Sequence, residues 1–362
     1  MKVCILGSGL SSLTLAKSLV NQKIYVDVFY PKKKYSLNKT RTIGISKSNL
    51  EFFNENIINI EKIIYKLNKI EIYSDNLEKE KLINFGNNND YLFSIVKNYK
   101  LQEILERNLL NNKYFRKTNY KTKINYCKDY DLVFNTDYNH PITKKYFNKK
   151  IEKKYNSVAY TTIIKHDKIS NNIAVQIFTK NGPLAFLPIS EYETSVVYSI
   201  NNYLKGNGDK LDKEINKLIN NYNYKYKLKK INKIYSFELK GLSLRSYFHK
   251  NILAFGDLLH RIHPLAGQGF NMTIRDIKIL NDIIQNKIDL GLPLDSTLNT
   301  EFENNQKHKN YLFSSAIDLI HEFFNLERKT KNDFLSKSIK YFNKNSNINN
   351  IFKKIADKGI LF

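Results

Sequence analysis

Residues 255–280, FGDLLHRIHPLAGQGFNMTIRDIKIL, hold Gly256, Gly267 and Gly269, three of only 13 glycines in 362 residues. Beside them stand Asp257, His260, His263, Pro264 and Gln268. Glycines gathered this way let backbone lie against a ligand, and a carboxylate next to them accepts hydrogen bonds from ligand hydroxyls. His260 and His263 have a spacing that suits zinc, but no third or fourth ligand is evident. They are expected to be packing or supporting groups, and no metal is expected. A second glycine cluster, Gly7-Ser8-Gly9-Leu10-Ser11-Ser12, has the spacing of the dinucleotide fingerprint, with Ser12 at its third position. There Gly7 would make the tight turn. Gly9 would let a pyrophosphate reach the free N–H groups at a helix start.

Both clusters need a strand before them and a helix behind. Lys2–Leu6 is a short apolar run of strand character, and Leu13, Leu15, Ala16, Leu19 and Val20 recur with helical spacing. A second strand follows over Ile24–Phe29. Its end should carry an acidic residue for a ribose hydroxyl, and Tyr30 stands there instead. Likewise 251–255 reads as a strand, while Met272, Ile274, Ile277 and Leu280 read as a helix. Gly256 and Asp257 therefore fall just beyond the carboxyl end of a strand, where open α/β sheets bind ligands.

Composition removes other classes. Hydrophobic residues make up 42%, which suits a globular chain. The net charge is +25, yet only seven of the 59 basic residues are Arg, and the lysines are spread along the chain among Asn, Ile and Tyr. Nucleic-acid recognition favours the forked guanidinium, so no nucleic-acid partner is expected. Cys4 and Cys127 offer no disulfide framework, and a reducing, cytoplasmic setting is the expectation. The opening MKVCILGSG is too short for a signal peptide. No apolar run approaches the ~18 residues that span a bilayer.

The ordered set Gly256, Asp257, His260, His263, Pro264, Gly267, Gln268, Gly269, Asn271, Arg275 and Asp276 resembles the flavin-dependent aromatic hydroxylases, and most closely the ubiquinone-biosynthesis hydroxylase family. Arg41-Thr42-Ile43-Gly44 and the Leu101-Gln102 pair resemble further segments of it, as does 173–189 with Gly182-Pro183 and Leu187-Pro188. In place of the family's Asp-Gly pair this chain has Asp137-Tyr138, and Leu258-Leu259 replace two alanines.

The resemblance implies an α/β fold, a Rossmann-like FAD-binding domain with an interleaved antiparallel-sheet substrate domain and C-terminal helices. The expected FAD-binding parts are 1–60, 90–150 and 245–300, the substrate sheet 61–89 and 151–244, and the helical segment 301–362. It implies that Gly7, Gly9, Ser12, Arg41, Gln102, Asp257, Gly267, Gly269 and Asn271 bind FAD. Pro264, Gly267, Gln268 and Gly269 would form the flavin-ring environment, with no acid or base assigned. The implied reaction is hydroxylation of a polyprenylated phenol by O2 through a flavin C4a-hydroperoxide. NAD(P)H as donor is left open by Tyr138. Two other readings remain, an isoprenoid reductase and a lipid-binding subunit without turnover. Association with other ubiquinone-biosynthesis proteins also stays open. The face Phe313, Ile317, Ile320 and Phe324 is expected to pack on the core. The tail 351–362, apolar residues among lysines, is expected to touch a membrane surface.

Overall fold

The computed structural model describes residues 1–31, 38–75, 81–86, 90–120, 126–201, 208–264, 267–330, 337, 350 and 354–359. Val3, Cys4, Ile5 and Leu6 are fully buried, so β1 (Lys2–Leu6) lies inside a sheet and not at its edge. That six-stranded sheet runs β16 (Phe248–His249), β17 (Ile252–Ala254), β9 (Leu132–Asn135), β1, β2 (Tyr25–Tyr30), β8 (Phe115–Asn119). Its pairings are parallel apart from β16 with β17. α1 (Leu10–Asn21) leads from β1 to β2, while β9 lies on the other side of β1. The strand order therefore reverses at the carboxyl end of β1, the place where such sheets bind ligands. α1 is buried continuously from Ser12 to Val20 because α3 (Asn98–Leu110) and α7 (Gln268–Asp289) pack against it.

A three-stranded antiparallel sheet, β3 (Thr42–Ser46), β7 (Phe93–Lys97) and β4 (Ile64–Leu67), stands beside the first, and α2 (Lys47–Asn56) follows β3. The span 61–89, expected whole in the substrate sheet, is divided. Leu67 is fully buried against Phe93 and Ile95, which holds β4 to β7. Only β5 (Lys69–Ser74) and β6 (Lys81–Gly86) cross to the large sheet.

The nine-stranded sheet orders β18 (His260–Arg261), β15 (Tyr235–Leu244), β10 (Lys150–His166), β13 (Glu193–Asn201), β12 (Gly182–Pro188), β11 (Ile173–Thr179), β5 and β6, with β14 (Leu228–Ile231) also on β10. β18 belongs to the 245–300 stretch, so that stretch supplies the edge of this sheet as well. Strand alternation divides the two faces. Ile177, Leu184, Phe186, Val196 and Tyr198 are buried with Ile215 and Ile219 of α6 (Gly208–Tyr222). On the other face Ala174, Gln176, Ala185, Leu187, Val197 and Ser199 front a cavity. One face is thus covered by α6, and the other is left open to the cavity.

Short helices α4 (Tyr126–Asp129) and α5 (Pro141–Tyr146) flank β9, and α8 (Thr297–Thr330) runs along α7. On α8, Phe313 is buried, Ile317 packs beside it and Phe324 stacks on Phe178, while Ile320 is exposed. Within the tail that was expected to touch a membrane surface, the described part packs on the protein. Ile355 packs near Ile262, Met272 and Phe313. Asp357 accepts hydrogen bonds from the backbone N–H and the hydroxyl of Ser48, both at 2.9 Å. Residues 354–359 are thus bound to the body of the protein. Ile351, Phe352, Ile360, Leu361 and Phe362 lie outside the described residues.

Candidate active site

A cavity of about 1220 Å³ opens where the carboxyl ends of the parallel strands, the three-stranded sheet and the large sheet meet. Gly7, Ser8 and Gly9 reach it from the β1–α1 turn, Arg41 from the approach to β3, and Gln102 from α3. Asp257 comes from a single 3-10 turn after β17, and Pro264, Gly267, Gln268 and Gly269 come from the loop that opens α7. Elements far apart in sequence thus converge on one space.

Two helices point their N-termini into it. α1 is capped by Gly9 and α7 by Gly267; neither has a side-chain cap bond or an acidic residue in its first turn. Free N–H groups and the positive dipole end of each are left facing the cavity. α2 shows the alternative, since Asp357 supplies the side-chain acceptor at its first turn. A Cβ at Gly9 or Gly269 would meet nothing within 4 Å, so both present bare backbone to open space. Gly7 and Gly267 serve the backbone instead. Gly267 has φ +64, a left-handed value. Gly7 has φ +121, and a Cβ there would lie 2.2 Å from Thr136 Oγ1.

Two neighbours fix the first of these turns, and a further bond holds the Arg41 backbone to the start of α3. The Arg41 carbonyl accepts from the Asn98 N–H at 3.0 Å. Gln102 Nε2 donates to the Ser8 carbonyl at 3.4 Å, tying α3 to the glycine turn. Ser12 borders the cavity, and its buried hydroxyl meets Thr136 Oγ1 at 2.6 Å, so it also fastens the turn. Asn271, expected to bind the cofactor, is placed differently from Ser12. It does not line the cavity and is fully buried. Its Oδ1 accepts from the Ser46 N–H, and its Nδ2 donates to the Gly44 carbonyl at 3.1 Å. Its polarity satisfies backbone where β3 meets α7.

The two histidines part company. His260 Nε2 lies 2.5 Å from Asp276 Oδ2, and Asp276 Oδ1 accepts from Gln306 and Asn310, all of it buried. His263 turns to an aromatic nest, 4.2 Å from the His321 ring and edge-on to Tyr155. Burial, and then the His321 and Lys153 charges, push its pKa down to about 3, so it is neutral at ordinary pH. Among the described residues no group of three His, Cys, Asp or Glu could hold a metal. Arg275 points to Phe313, 4.4 Å from the ring centre, and lies off the cavity.

Tyr138 stands where glycine was expected. Its ring is flanked by Lys150 at 4.5 Å and Arg261 at 5.5 Å, and its hydroxyl donates to Glu152. It therefore clasps the parallel sheet's loops to the large sheet. Asp137, its neighbour, accepts from the Tyr120 hydroxyl at 2.7 Å and the Asn139 N–H at 2.8 Å. The chemistry of the donor set suits a flavin dinucleotide: bare N–H groups for phosphates, a carboxylate for ribityl hydroxyls and a glycine shelf for a flat ring. Among the lining groups that were not anticipated are Glu106 and Lys117. Glu106 is one helical turn beyond Gln102, which is the signal that could have marked it.

Comparison with known proteins bears on both fold and kinship. No family model matches the chain. Its architecture resembles p-nitrophenol 4-monooxygenase PnpA of Pseudomonas putida DLL-E4, with a TM-score of 0.76 at 10% identity over 97% of this chain and 96% of that one. Klebsiella pneumoniae HpxO, solved with FAD and uric acid, gives a TM-score of 0.77 at 12% identity over 99% and 97%. The fold is the Rossmann-like fold of the FAD-binding monooxygenases. In sequence the chain is similar to ubiquinone-biosynthesis hydroxylases. It is 25% identical over 191 residues to the ubiquinone biosynthesis monooxygenase COQ6 of Danio rerio, covering 42% of this chain and 40% of that one. It is 29% identical over 157 residues to the 3-demethoxyubiquinol 3-hydroxylase of Escherichia coli, covering 41% and 39%. The chain thus matches about two-fifths of the length of these two relatives.

Proposed function

We propose that the protein binds FAD and hydroxylates an electron-rich aromatic ring, with a polyprenylated phenol of ubiquinone synthesis as the substrate class. The observation that carries this is the pair of uncapped helix N-termini opening on one cavity beneath a sheet face of Ile70, Ile72, Ala185, Leu187 and Val197. In this reading Gly9 and the start of α1 take the pyrophosphate, with Arg41 and Gln102 beside it. Asp257 holds ribityl hydroxyls. Pro264 and Gly267–Gly269 border the flavin ring, and the positive end of α7 favours negative charge at its N1–C2=O edge. When bound, FAD supplies the activation of O2 and the transfer of one oxygen atom. The apolar face holds the ring of the substrate and excludes water.

The departures at Ser12 and Tyr138 fill structural places and leave the cavity open, which favours turnover over a scaffold role. No described helix is long and apolar enough to cross a membrane. Because a polyprenylated substrate is lipid-soluble, its delivery is proposed to occur at a bilayer surface. The proposal is tested by purifying the protein, recording its visible spectrum after FAD addition, and assaying short-chain prenylphenols under O2 with NADH, NADPH or chemical reductant. Flavin binding with a hydroxylated product supports it. Flavin binding with saturation of a prenyl double bond supports the reductase, and no flavin band supports the scaffold.

A further inference from the structure

The dinucleotide fingerprint calls for a carboxylate at the end of the second strand, to accept hydrogen bonds from the adenosine ribose. This chain has Tyr30 there. We propose that Glu106, arriving from α3, supplies the missing carboxylate and binds the ribose hydroxyls at the adenosine end of FAD; the inference rests on the flavin reading above. Glu106 follows Gln102 by four residues and so projects from the same helix face, about 5–6 Å further along it. Gln102 already touches the glycine turn through the Ser8 carbonyl. Tyr30, Glu106 and Lys117 line the same cavity as Gly7 and Gly9.

Lys117 holds the carboxylate in place. It lies on β8, which pairs with β2 so that Asn119 stands opposite Tyr30. Its ammonium donates to Glu106 Oε1 at 2.6 Å and sits 4.3 Å from the centre of the Tyr30 ring. These contacts place the carboxylate at the strand end, and burial and then the Glu106 charge push the Tyr30 hydroxyl up from its ordinary pKa. Lys117 engages one oxygen of the carboxylate. An ionised carboxylate has lone pairs enough on its two oxygens for a ribose diol as well. An exposed ion pair with no ligand role would contribute little of its own, and the two roles give different binding results.

The test is a thermodynamic cycle on purified apoprotein, with FAD and an FAD analogue carrying 2′-deoxyadenosine titrated by flavin fluorescence. Wild type should bind the deoxy analogue roughly tenfold or more weakly, the loss expected for a hydrogen bond to a charged acceptor. Glu106→Gln should bind FAD weakly and no longer tell the two ligands apart. If Glu106→Gln does not fold by circular dichroism, Glu106→Asp, which withdraws the carboxylate by one methylene, should narrow the discrimination instead. Should wild type treat both ligands alike, or the Glu106 variants keep its full discrimination, the proposal is overturned while the flavin reading stands. Wild type that binds no FAD overturns both.

Discussion

The two glycine turns invite comparison. Each has one glycine that serves the backbone, Gly7 at φ +121 and Gly267 at φ +64, and one that faces open space, Gly9 and Gly269. Each opens a helix with no side-chain cap. They differ in what stands behind. The first turn is closed by a hydroxyl pair, Ser12 with Thr136, inside a single sheet layer. The second is closed by Asn271, which reaches across to Ser46 and Gly44 in another sheet. A turn supported within its own layer tolerates a changed residue of similar size. A turn that also joins two sheets depends on a particular side chain, here Asn271.

The largest effect is expected from Gly267→Val. The left-handed backbone there costs a β-branched residue about 2–3 kcal/mol, although the space around it is adequate, with the nearest atom 3.6 Å away. The loop should shift and flavin retention should be lost while the fold persists. A variant that purifies with full flavin absorbance would show that the second turn is not the ring's shelf. Asp257→Ala comes next. It removes the acceptor for cofactor hydroxyls and should weaken FAD by ~1–3 kcal/mol, roughly 5- to 150-fold, in a fluorescence titration. Unchanged affinity would take Asp257 out of the site.

His263 tests the second turn through pH. Its pKa is about 3 in the fold and about 6.5 in an unfolded chain. Between these values the unfolded state binds the extra proton, so stability is full above about 6.5 and falls as the pH drops towards 3. The slope from this one group is about 1.4 kcal/mol per pH unit, or about 2 kcal/mol by pH 5. Its ring nitrogens have no hydrogen-bond partner among the described residues, so His263→Phe keeps the aromatic packing without breaking a bond. Urea melts at pH 7 and pH 5 should show a smaller acid loss in the variant. Equal losses would mean that His263 is solvated and that the loop is open.

Much of this was legible in the residues. Spacing alone marked both turns, and the strand–helix alternation placed them at sheet ends. What was hidden concerns contacts between distant segments. Ile64–Leu67 has the alternation of any strand, and only the surface it meets at Phe93 and Ile95 assigns it to the small sheet. Asn271 and Gly269 sit two residues apart in one motif, yet helical rotation turns one inward and leaves the other on the cavity. Lysines among apolar residues suggested a membrane for 351–362, but Asp357 within it finds the start of α2, 309 positions away. Pattern reports which face is apolar and does not report what covers it.

The smallest effect sharpens the comparison most. Ser12→Gly would restore the third glycine of the fingerprint. If Ser12 were a defect in the cofactor site, the variant would bind FAD more tightly. The geometry says otherwise, because the hydroxyl points to Thr136 Oγ1 at 2.6 Å and the residue is fully buried. Thr136 would keep its bond to the Leu6 carbonyl at 2.9 Å, so no donor is orphaned. The change would remove one buried hydrogen bond and add a glycine to the first turns of α1, together about 1–2 kcal/mol of stability. The expected result is a lower urea midpoint with FAD affinity unchanged within twofold. Tighter FAD binding without loss of stability would mean that Ser12 restrains the pyrophosphate, and that the first turn has departed from its binding role after all.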